Sequence, residues 1–250
     1  MGEGAKTWPT AGMVVIGNEV LSGKVADTNS PFLCRELNFL GIELREIVTI
    51  PDDFERIGAI VREYSERFTW VFTSGGIGPT HDDITVPAIA AGFGCQALRN
   101  PEVEAALRRH YGERLTEEHL NMALVPEGAE LITMPGPGFA QIQFHNIFIL
   151  PGVPQLFEFR FNALKKQLEG QPVVLREFFL RADEGVIAGS LREVAERFPE
   201  VLIGSYPDFF KSDYSVKITL EARAQETVAA AVAELQAKLE ALPITIVRVN

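Results

Sequence analysis

Two hydrophobic patterns alternate along the first two thirds of the chain. The short apolar runs "GMVVIG", "IELREIVTI" and "WVFTS" are typical of buried strands. Between them, "TNSPFLCRELNFLG" and "DDFERIGAIVREYSERF" carry apolar residues at helical spacing. Thr28 or Asn29 is expected to cap the first helix, and Gly41 to end it. Alternating strands and helices predict a largely parallel sheet covered by helices.

The same alternation continues to about residue 172. A helix is expected to begin near Thr85, because Pro87 then falls in the first turn, where proline is tolerated. The charged region 101–120 is predicted to be helical and to form a lobe over the site. "NIFILPGVP" is a further strand with a turn, and the helix after it leads to the break "GQP" at 170–172. We place a domain boundary at this break.

The last part of the chain follows another order. Strand-like and helical patterns succeed one another as strand, helix, strand, strand, helix, strand, from "VVLREFFL" to "ITIVRV". This order matches a small split unit of the ferredoxin-like kind. The sequence therefore predicts an α/β domain over 12–172 and a smaller α+β domain over 173–250.

Polar segments follow the predicted parallel strands. "GNEVLSG" comes after the first strand, "PDD" after the second, "SGGIGPTHDD" after the third and "PGVP" after a later one. In such sheets ligands bind at the carboxyl ends of the strands. We expect the four segments to share one cleft.

The third segment combines glycines with acidic residues. Gly75, Gly76 and Gly78 can leave backbone N–H groups uncovered to hold a phosphate, although a tight strand-to-helix connection explains glycines as well. No Gly-Lys-Ser/Thr follows them, so this is not a lysine-assisted nucleotide loop. Asp82 and Asp83 would repel a phosphate unless a hard divalent cation lay between them. The loop is predicted to hold a metal-bridged phosphate, and the alternative for either aspartate is helix capping.

Several single residues have two interpretations. Asp52 follows a strand and is a metal-ligand candidate, but Pro-Asp-Asp before a helix is also an ordinary cap. Glu19, and Asp27 with Asn29, fit turns or caps as well as a site. Tyr206, in "IGSYPD", is either a packing residue at a turn or a platform that stacks on a base or flavin ring.

Composition excludes some classes of protein. The 250 residues have a net charge of −11, from 34 acidic and 23 basic residues, without a Lys/Arg-rich run, so nucleic acid is not an expected partner. Every apolar run is far shorter than the roughly 20 residues of a membrane span. The first residues lack the apolar core of a secretory signal. With only Cys34 and Cys95, we expect a cytoplasmic protein without disulfides, and Cys34 to be buried in its helix.

The segments "GNEVLSGKVADTN", "TSGGIGPTHDDIT" and "ILPGVP" together resemble the molybdopterin-binding-like domain of molybdenum-cofactor biosynthesis proteins and of the competence/damage-inducible protein A family. The likeness is nearest to the N-terminal domain of eukaryotic FAD synthase, through "FILPGVPQL" and "IGSYPD" among other segments. It covers nearly the whole chain. The resemblance implies a three-layer helix-sheet-helix domain that binds nucleotides or pterins.

The resemblance also implies a site and a reaction. The reaction is metal-dependent hydrolysis of a diphosphate such as that of ADP-ribose or FAD, with magnesium, manganese or cobalt, and potassium as a further candidate ion. Asp83, Asp82 and Asp52 are the predicted catalytic and metal-binding residues. The predicted ligand-binding residues are Gly75, Gly76, Gly78, Thr80, Thr85, Glu19, Asn29, Pro151, Gly152 and Tyr206. A homo-oligomer, with a dimer favoured, is expected.

Other functions stay open at this point. One is a molybdopterin-binding or adenylylating role in molybdenum-cofactor assembly, and another is a nucleotide-binding module without catalysis. The chain departs from the damage-inducible pattern at "MPGPGFAQ", residues 134–141, which puts the substrate contacts of that segment in doubt. Because the chain stops at Asn250, neither the amidase nor the adenylyltransferase activity of longer relatives is expected.

Overall fold

The computed structural model describes residues 8–133, 140–168, 170, 172–208 and 213–250. The chain divides into two compact units, Met1–Gly170 and Gln171–Asn250. Each unit has its own sheet and its own buried core.

A six-stranded sheet forms the centre of the first unit, in the order β2-β1-β3-β8-β7-β6. The first four strands of this order run parallel. Strand β7 pairs antiparallel with β8, and β6 pairs antiparallel with β7. The elements are β1 (Thr10–Ile16), α1 (Asn18–Leu21), α2 (Asn29–Leu40), β2 (Glu43–Ile50), α3 (Phe54–Arg67), β3 (Trp70–Ser74), α4 (Thr85–Gly92), β4 (Ala97–Arg99), α5 (Pro101–Tyr111), α6 (Glu117–Asn121), β5 (Leu124–Pro126), β6 (Glu130–Ile132), β7 (Gln141–Phe144), β8 (Ile147–Leu150) and α7 (Pro154–Leu164). The predicted parallel sheet is confirmed.

Both faces of this sheet are covered. Because successive side chains of a strand point to opposite faces, β1 sends Val14 and Ile16 into one core and Met13 and Val15 into the other. Helices α3 and α4 cover the first core, and α2 and α7 cover the second. The three-layer helix-sheet-helix arrangement is therefore confirmed.

Helix boundaries follow from local side-chain chemistry. Asp53 caps α3 by accepting a hydrogen bond from the Arg56 N–H at 2.8 Å. Gly41 ends α2 in the left-handed conformation that glycine adopts without strain. Helices α5 and α6 occupy the predicted helical region and contact each other, and the two-stranded sheet β4-β5 packs against α4. Cys34, expected to be buried, is exposed, because α2 packs through Leu33 and Leu37.

The second unit is an antiparallel sheet in the order β10-β11-β9-β12. Its elements are β9 (Val174–Arg181), α8 (Glu184–Arg197), β10 (Leu202–Pro207), β11 (Val216–Ala222), α9 (Gln225–Glu240) and β12 (Thr245–Val249). Phe178, Leu180 and Ile218 of the sheet pack with Ile187 of α8 and Leu235 of α9. This is the predicted ferredoxin-like order. Among the described residues of both units, no helix has the length and apolar character of a membrane span.

Candidate nucleotide or pterin site

Hydrogen bonds join the loops at the carboxyl ends of the parallel strands. The Asp52 carboxylate, after β2, accepts from the Asn18 N–H, after β1, at 2.8 Å. The Gly75 N–H, after β3, donates to the Leu150 carbonyl at the end of β8. A side chain of α2 adds a third link, because Asn29 Nδ2 donates to Ser74 Oγ at 2.9 Å and to the Gly152 carbonyl at 2.8 Å. All four strand-end segments thus lie at one edge.

The glycine loop between β3 and α4 needs its glycines. Gly75 and Gly76 have φ of 108° and 66°, a region that other residues rarely adopt. A Cβ on Gly75 would lie 2.2 Å from the Ile16 carbonyl oxygen, and one on Gly76 would lie 2.2 Å from Thr85 Oγ1. Buried Thr85 fixes the loop, since its hydroxyl donates to the Gly75 carbonyl and its N–H to the Gly76 carbonyl, both at 3.0 Å. We infer that Thr85 shapes the loop through these two bonds.

Three successive N–H groups of the loop are open. Among the residues that the structure describes, the N–H groups of Gly76, Ile77 and Gly78 have no acceptor. All three residues are partly exposed. Successive N–H groups in such a turn form a concave site for an anion. We call residues 76–78 the amide nest.

Two acidic residues, Asp82 and Asp83, follow the amide nest in the same loop. Asp83 Oδ2 accepts from Thr80 N at 2.7 Å and from Thr80 Oγ1 at 2.5 Å, so both donors of Thr80 hold Asp83. The Asp82 side chain is half exposed. The Thr80 side chain, the Asp82 N–H and nearby His81 hold the pKa of Asp82 below its ordinary value. A negative charge on Asp82 thus accompanies the anion site at neutral pH.

The carboxylate oxygens of this loop suit a hard cation that is shared with a ligand. In the described part of the chain, no three His, Cys, Asp or Glu side chains cluster as a complete metal site. Magnesium is commonly held by one or two carboxylates together with phosphate oxygens and water. Asp82 and Asp83 fit that requirement, and Asp52, like Asp83, has one oxygen bonded within the protein and one oxygen left.

A small cavity of about 40 Å³ lies at the same edge, on the side of α2. Asn29, Ser74, Glu19 and Gly152 are among its lining residues. Asn29 is only 5% exposed, and its Oδ1 has no hydrogen-bond donor among the described residues. Gly152 lies against Gly75, since a Cβ on Gly152 would be 3.2 Å from Gly75 Cα. Pro151, beside it, is buried.

Tyr206 belongs to the second unit and lies on the open face of its sheet. Its side chain covers Gly204, where a Cβ would be 2.6 Å from the Tyr206 hydroxyl. Lys217 Nζ is 5.4 Å from the centre of the ring, which is half exposed. Tyr206 thus packs on its own sheet and keeps part of its ring accessible. Its role in ligand binding stays a prediction.

Ser74 and Asn18 were missed in the sequence. Ser74 ends the apolar strand β3, and a buried hydroxyl at the end of a parallel strand is a signal that could have identified it. Asn18 contributes through its backbone N–H, which no sequence pattern shows. The departure at "MPGPGFAQ" falls mostly outside the described residues, because the structure does not describe 134–139.

The three-layer fold with a glycine loop at its strand-end edge defines a class of ligand-binding α/β domain, and comparison with known families agrees with this class. Residues 12–184 match the family "Probable molybdopterin binding domain", and the chain belongs to this family. Residues 172–247 match "FAD synthase, middle domain".

Individual relatives extend the likeness. The chain is 34% identical over 255 residues to "Probable FAD synthase" of Caenorhabditis elegans, covering 91% of the chain and 49% of that protein. The chain thus spans about half the length of its FAD synthase relatives. An Archaeoglobus fulgidus protein is 30% identical over 224 residues, covering 90% of the chain and 95% of that protein.

A solved structure supports the first unit. The CinA protein of Thermoplasma acidophilum, described as having unknown function, is 31% identical, with a TM-score of 0.59. The match covers 64% of this chain and 98% of that protein. The predicted resemblance to the competence/damage-inducible protein A (CinA) family and to FAD synthase is therefore confirmed.

Proposed function

We propose that this chain is a metal-dependent nucleotide pyrophosphatase, which hydrolyses the diphosphate of ADP-ribose- or FAD-like substrates and releases AMP. One observation carries the proposal: the open N–H groups of Gly76, Ile77 and Gly78 belong to the same loop as Asp82 and Asp83, and a Cβ on Gly78 would lie 2.7 Å from Asp83 Oδ2. The N–H groups provide a site for phosphate oxygens. The carboxylates repel an anion. The amide nest and the two carboxylates can therefore bind the same phosphate when a cation lies between the carboxylates and the phosphate.

Each residue of the loop then has a task. The amide nest binds and orients one phosphate, and buried Thr85 keeps the nest in its shape. Thr80 fixes the Asp83 carboxylate by two hydrogen bonds, which leaves Asp83 Oδ1 available. Asp82 and Asp83 would hold a divalent cation with the substrate's phosphate oxygens; such a cation supplies charge neutralisation on the phosphates and lowers the pKa of a bound water.

The proposed reaction is a hydrolysis. A water oxygen attacks one phosphorus of the diphosphate, the bond from that phosphorus to the bridging oxygen breaks, and the bridging oxygen leaves with the other phosphate. ADP-ribose would give AMP and ribose 5-phosphate, and FAD would give AMP and flavin mononucleotide. The likeness to proteins named FAD synthase supports a substrate of this kind.

A direct assay tests the proposal. Purified protein is incubated with ADP-ribose, FAD and NADH, each with magnesium, manganese or cobalt, in potassium chloride, and the products are separated by chromatography. We expect AMP only in samples that contain metal. Absence of AMP with every substrate and metal, or an equal amount of AMP in the presence of a chelator, contradicts the proposal.

A second candidate is binding of a phosphorylated pterin in the same amide nest. The family match over residues 12–184 is the observation that favours it. Under this alternative, molybdopterin binds far more tightly than ADP-ribose, and no AMP is released from dinucleotides. Tight nucleotide binding with no turnover under any metal would instead indicate a binding module.

A further inference from the structure

Asn29 is held in a fixed orientation by residues distant in sequence. Its Nδ2 donates to the Gly152 carbonyl, 123 positions away, and a carbonyl oxygen can only accept. This contact excludes the flipped amide, so Oδ1 is the atom left without a donor. A buried acceptor without a donor is unfavourable, because it has lost its hydrogen bond to water. The fold therefore tolerates an unfavourable group at this point.

The Ser74 hydroxyl lines the cavity together with Asn29 Oδ1. Ser74 Oγ accepts from Asn29 Nδ2, and no described residue accepts the Ser74 hydroxyl proton. Asn29 Oδ1 and the Ser74 hydroxyl thus present one acceptor and one donor to the cavity. A hydroxyl group satisfies both, because it donates one hydrogen bond and accepts others.

The remaining walls exclude an anion. Glu19 and Asp27 both line the cavity, and they would repel a phosphate or carboxylate. Asp27 already accepts hydrogen bonds from Ser30 N and Ser30 Oγ. The volume of about 40 Å³ suits a group of the size of a water or hydroxyl, not a base or a flavin ring.

We propose that Asn29 Oδ1 and Ser74 Oγ bind a ribose hydroxyl of the nucleotide, which makes this edge selective for ribonucleotides over deoxyribonucleotides. The inference rests on the proposed function, since it assigns the sugar of the same ligand. Ser74 precedes Gly76 of the amide nest by two residues, at most about 7 Å of extended chain. A sugar at Ser74 and its phosphate at the nest are therefore compatible with one nucleotide.

Calorimetry with AMP, 2′-deoxy-AMP and 3′-deoxy-AMP tests the inference without any turnover. We expect the parent protein to bind AMP about 10-fold more tightly than one of the two deoxynucleotides, the effect of one lost hydrogen bond in a buried site. Asn29→Ala should bind AMP as weakly as the parent protein binds that deoxynucleotide. Cys34→Ala, on the exposed side of the same helix, should keep the full discrimination.

Each other result has a distinct meaning. Equal affinity of the parent protein for all three nucleotides overturns the inference even if Asn29→Ala does not fold, and leaves nucleotide binding intact. Discrimination that persists in folded Asn29→Ala also overturns it. Choline can also replace potassium in the buffer. If the affinities for all three nucleotides then fall equally in the parent protein but not in Asn29→Ala, the cavity holds a cation and not a sugar hydroxyl. Absence of binding of any nucleotide overturns both the inference and the proposed function.

Discussion

At the scale of single residues, Gly75 is a point of close contact between the strand-end segments. Its N–H bonds to Leu150, its own carbonyl accepts from Thr85, and its Cα lies against Ile16 and Gly152. With φ at 108°, the residue has a conformation and surroundings that only glycine fits. The position of the amide nest depends on this one residue.

Gly75→Ala should therefore destabilise the protein by more than its unfavourable φ alone. The conformation costs about 1–2 kcal/mol, and the added Cβ would also collide with the Ile16 carbonyl oxygen. Gly23→Ala is the matched control, because Gly23 has φ of 71° but no atom within 4 Å of an added Cβ. We expect thermal unfolding to show a loss of at least about 6 °C for Gly75→Ala and about 2–4 °C for Gly23→Ala. Equal losses would show that the crowding is relieved at no cost.

The types of the site residues could be predicted from sequence, and their partners could not. The glycines, the aspartates and Asn29 were identified because strand ends and helix starts are visible as patterns. Asn29 was expected to cap a helix or to belong to the site, and its amide reaches Ser74 and Gly152 in other loops. Hydrogen bonds over such sequence distances depend on how the layers pack, which no local pattern contains.

At the scale of elements, the long periodic segments could be predicted and the short ones could not. Helices α2, α3 and α9 and strands β1, β2 and β3 lie where the hydrophobic spacing indicated. Strands β4, β5 and β6, of three residues each, and the four-residue α1 were missed. A segment of that length contains too few positions to display a period, so tertiary contacts determine its structure.

One side chain fastens helix α3 to the turn between β7 and β8. Asn146 Nδ2 donates to the Ser65 and Phe68 carbonyls at 3.0 and 2.8 Å, and Asn146 Oδ1 accepts from Ser65 Oγ at 2.5 Å. Asn146→Ala should lower the free energy of unfolding by about 2–3 kcal/mol, because three hydrogen bonds are lost. Gln143→Ala, on the same hairpin, should change it by no more than about 0.5 kcal/mol. Denaturant titration that gives equal midpoints for the two variants would contradict this account of the helix end.

At the scale of the whole molecule, the chain consists of two units with separate cores. The amide nest, the aspartates and Asn29 all belong to the first unit, and Tyr206 is the one predicted site residue in the second. The break at 170–172 and the change in strand and helix order predicted these two parts, and the family resemblance implied a nucleotide or pterin ligand. The resemblance could not give the substrate, because it implies either a nucleotide or a pterin. Self-association stays a prediction, and sedimentation should give about twice the 27.6 kDa of one chain.

Tyr206→Ala tests whether the second unit takes part in ligand binding. If the exposed part of the ring stacks on a base or flavin, loss of the ring should raise KM about fivefold and change kcat little, since stacking stabilises the bound ground state by about 1 kcal/mol. Tyr206→Phe keeps the ring and should retain the parent KM. Identical kinetics of Tyr206→Ala and the parent protein on ADP-ribose and FAD would leave Tyr206 as a packing residue only.

The central claim is that the aspartates after the amide nest act with a cation in hydrolysis. Asp83→Asn keeps the size of the side chain and an oxygen that can accept from Thr80, but removes the charge. Asp53→Asn removes the same charge at a helix cap of the same edge, where asparagine caps as well as aspartate. The most direct measurement is the rate of metal-dependent AMP release by both variants, with their melting temperatures. We predict a loss of at least about 100-fold for Asp83→Asn and none for Asp53→Asn, at similar stability. An unchanged rate in folded Asp83→Asn would contradict the account.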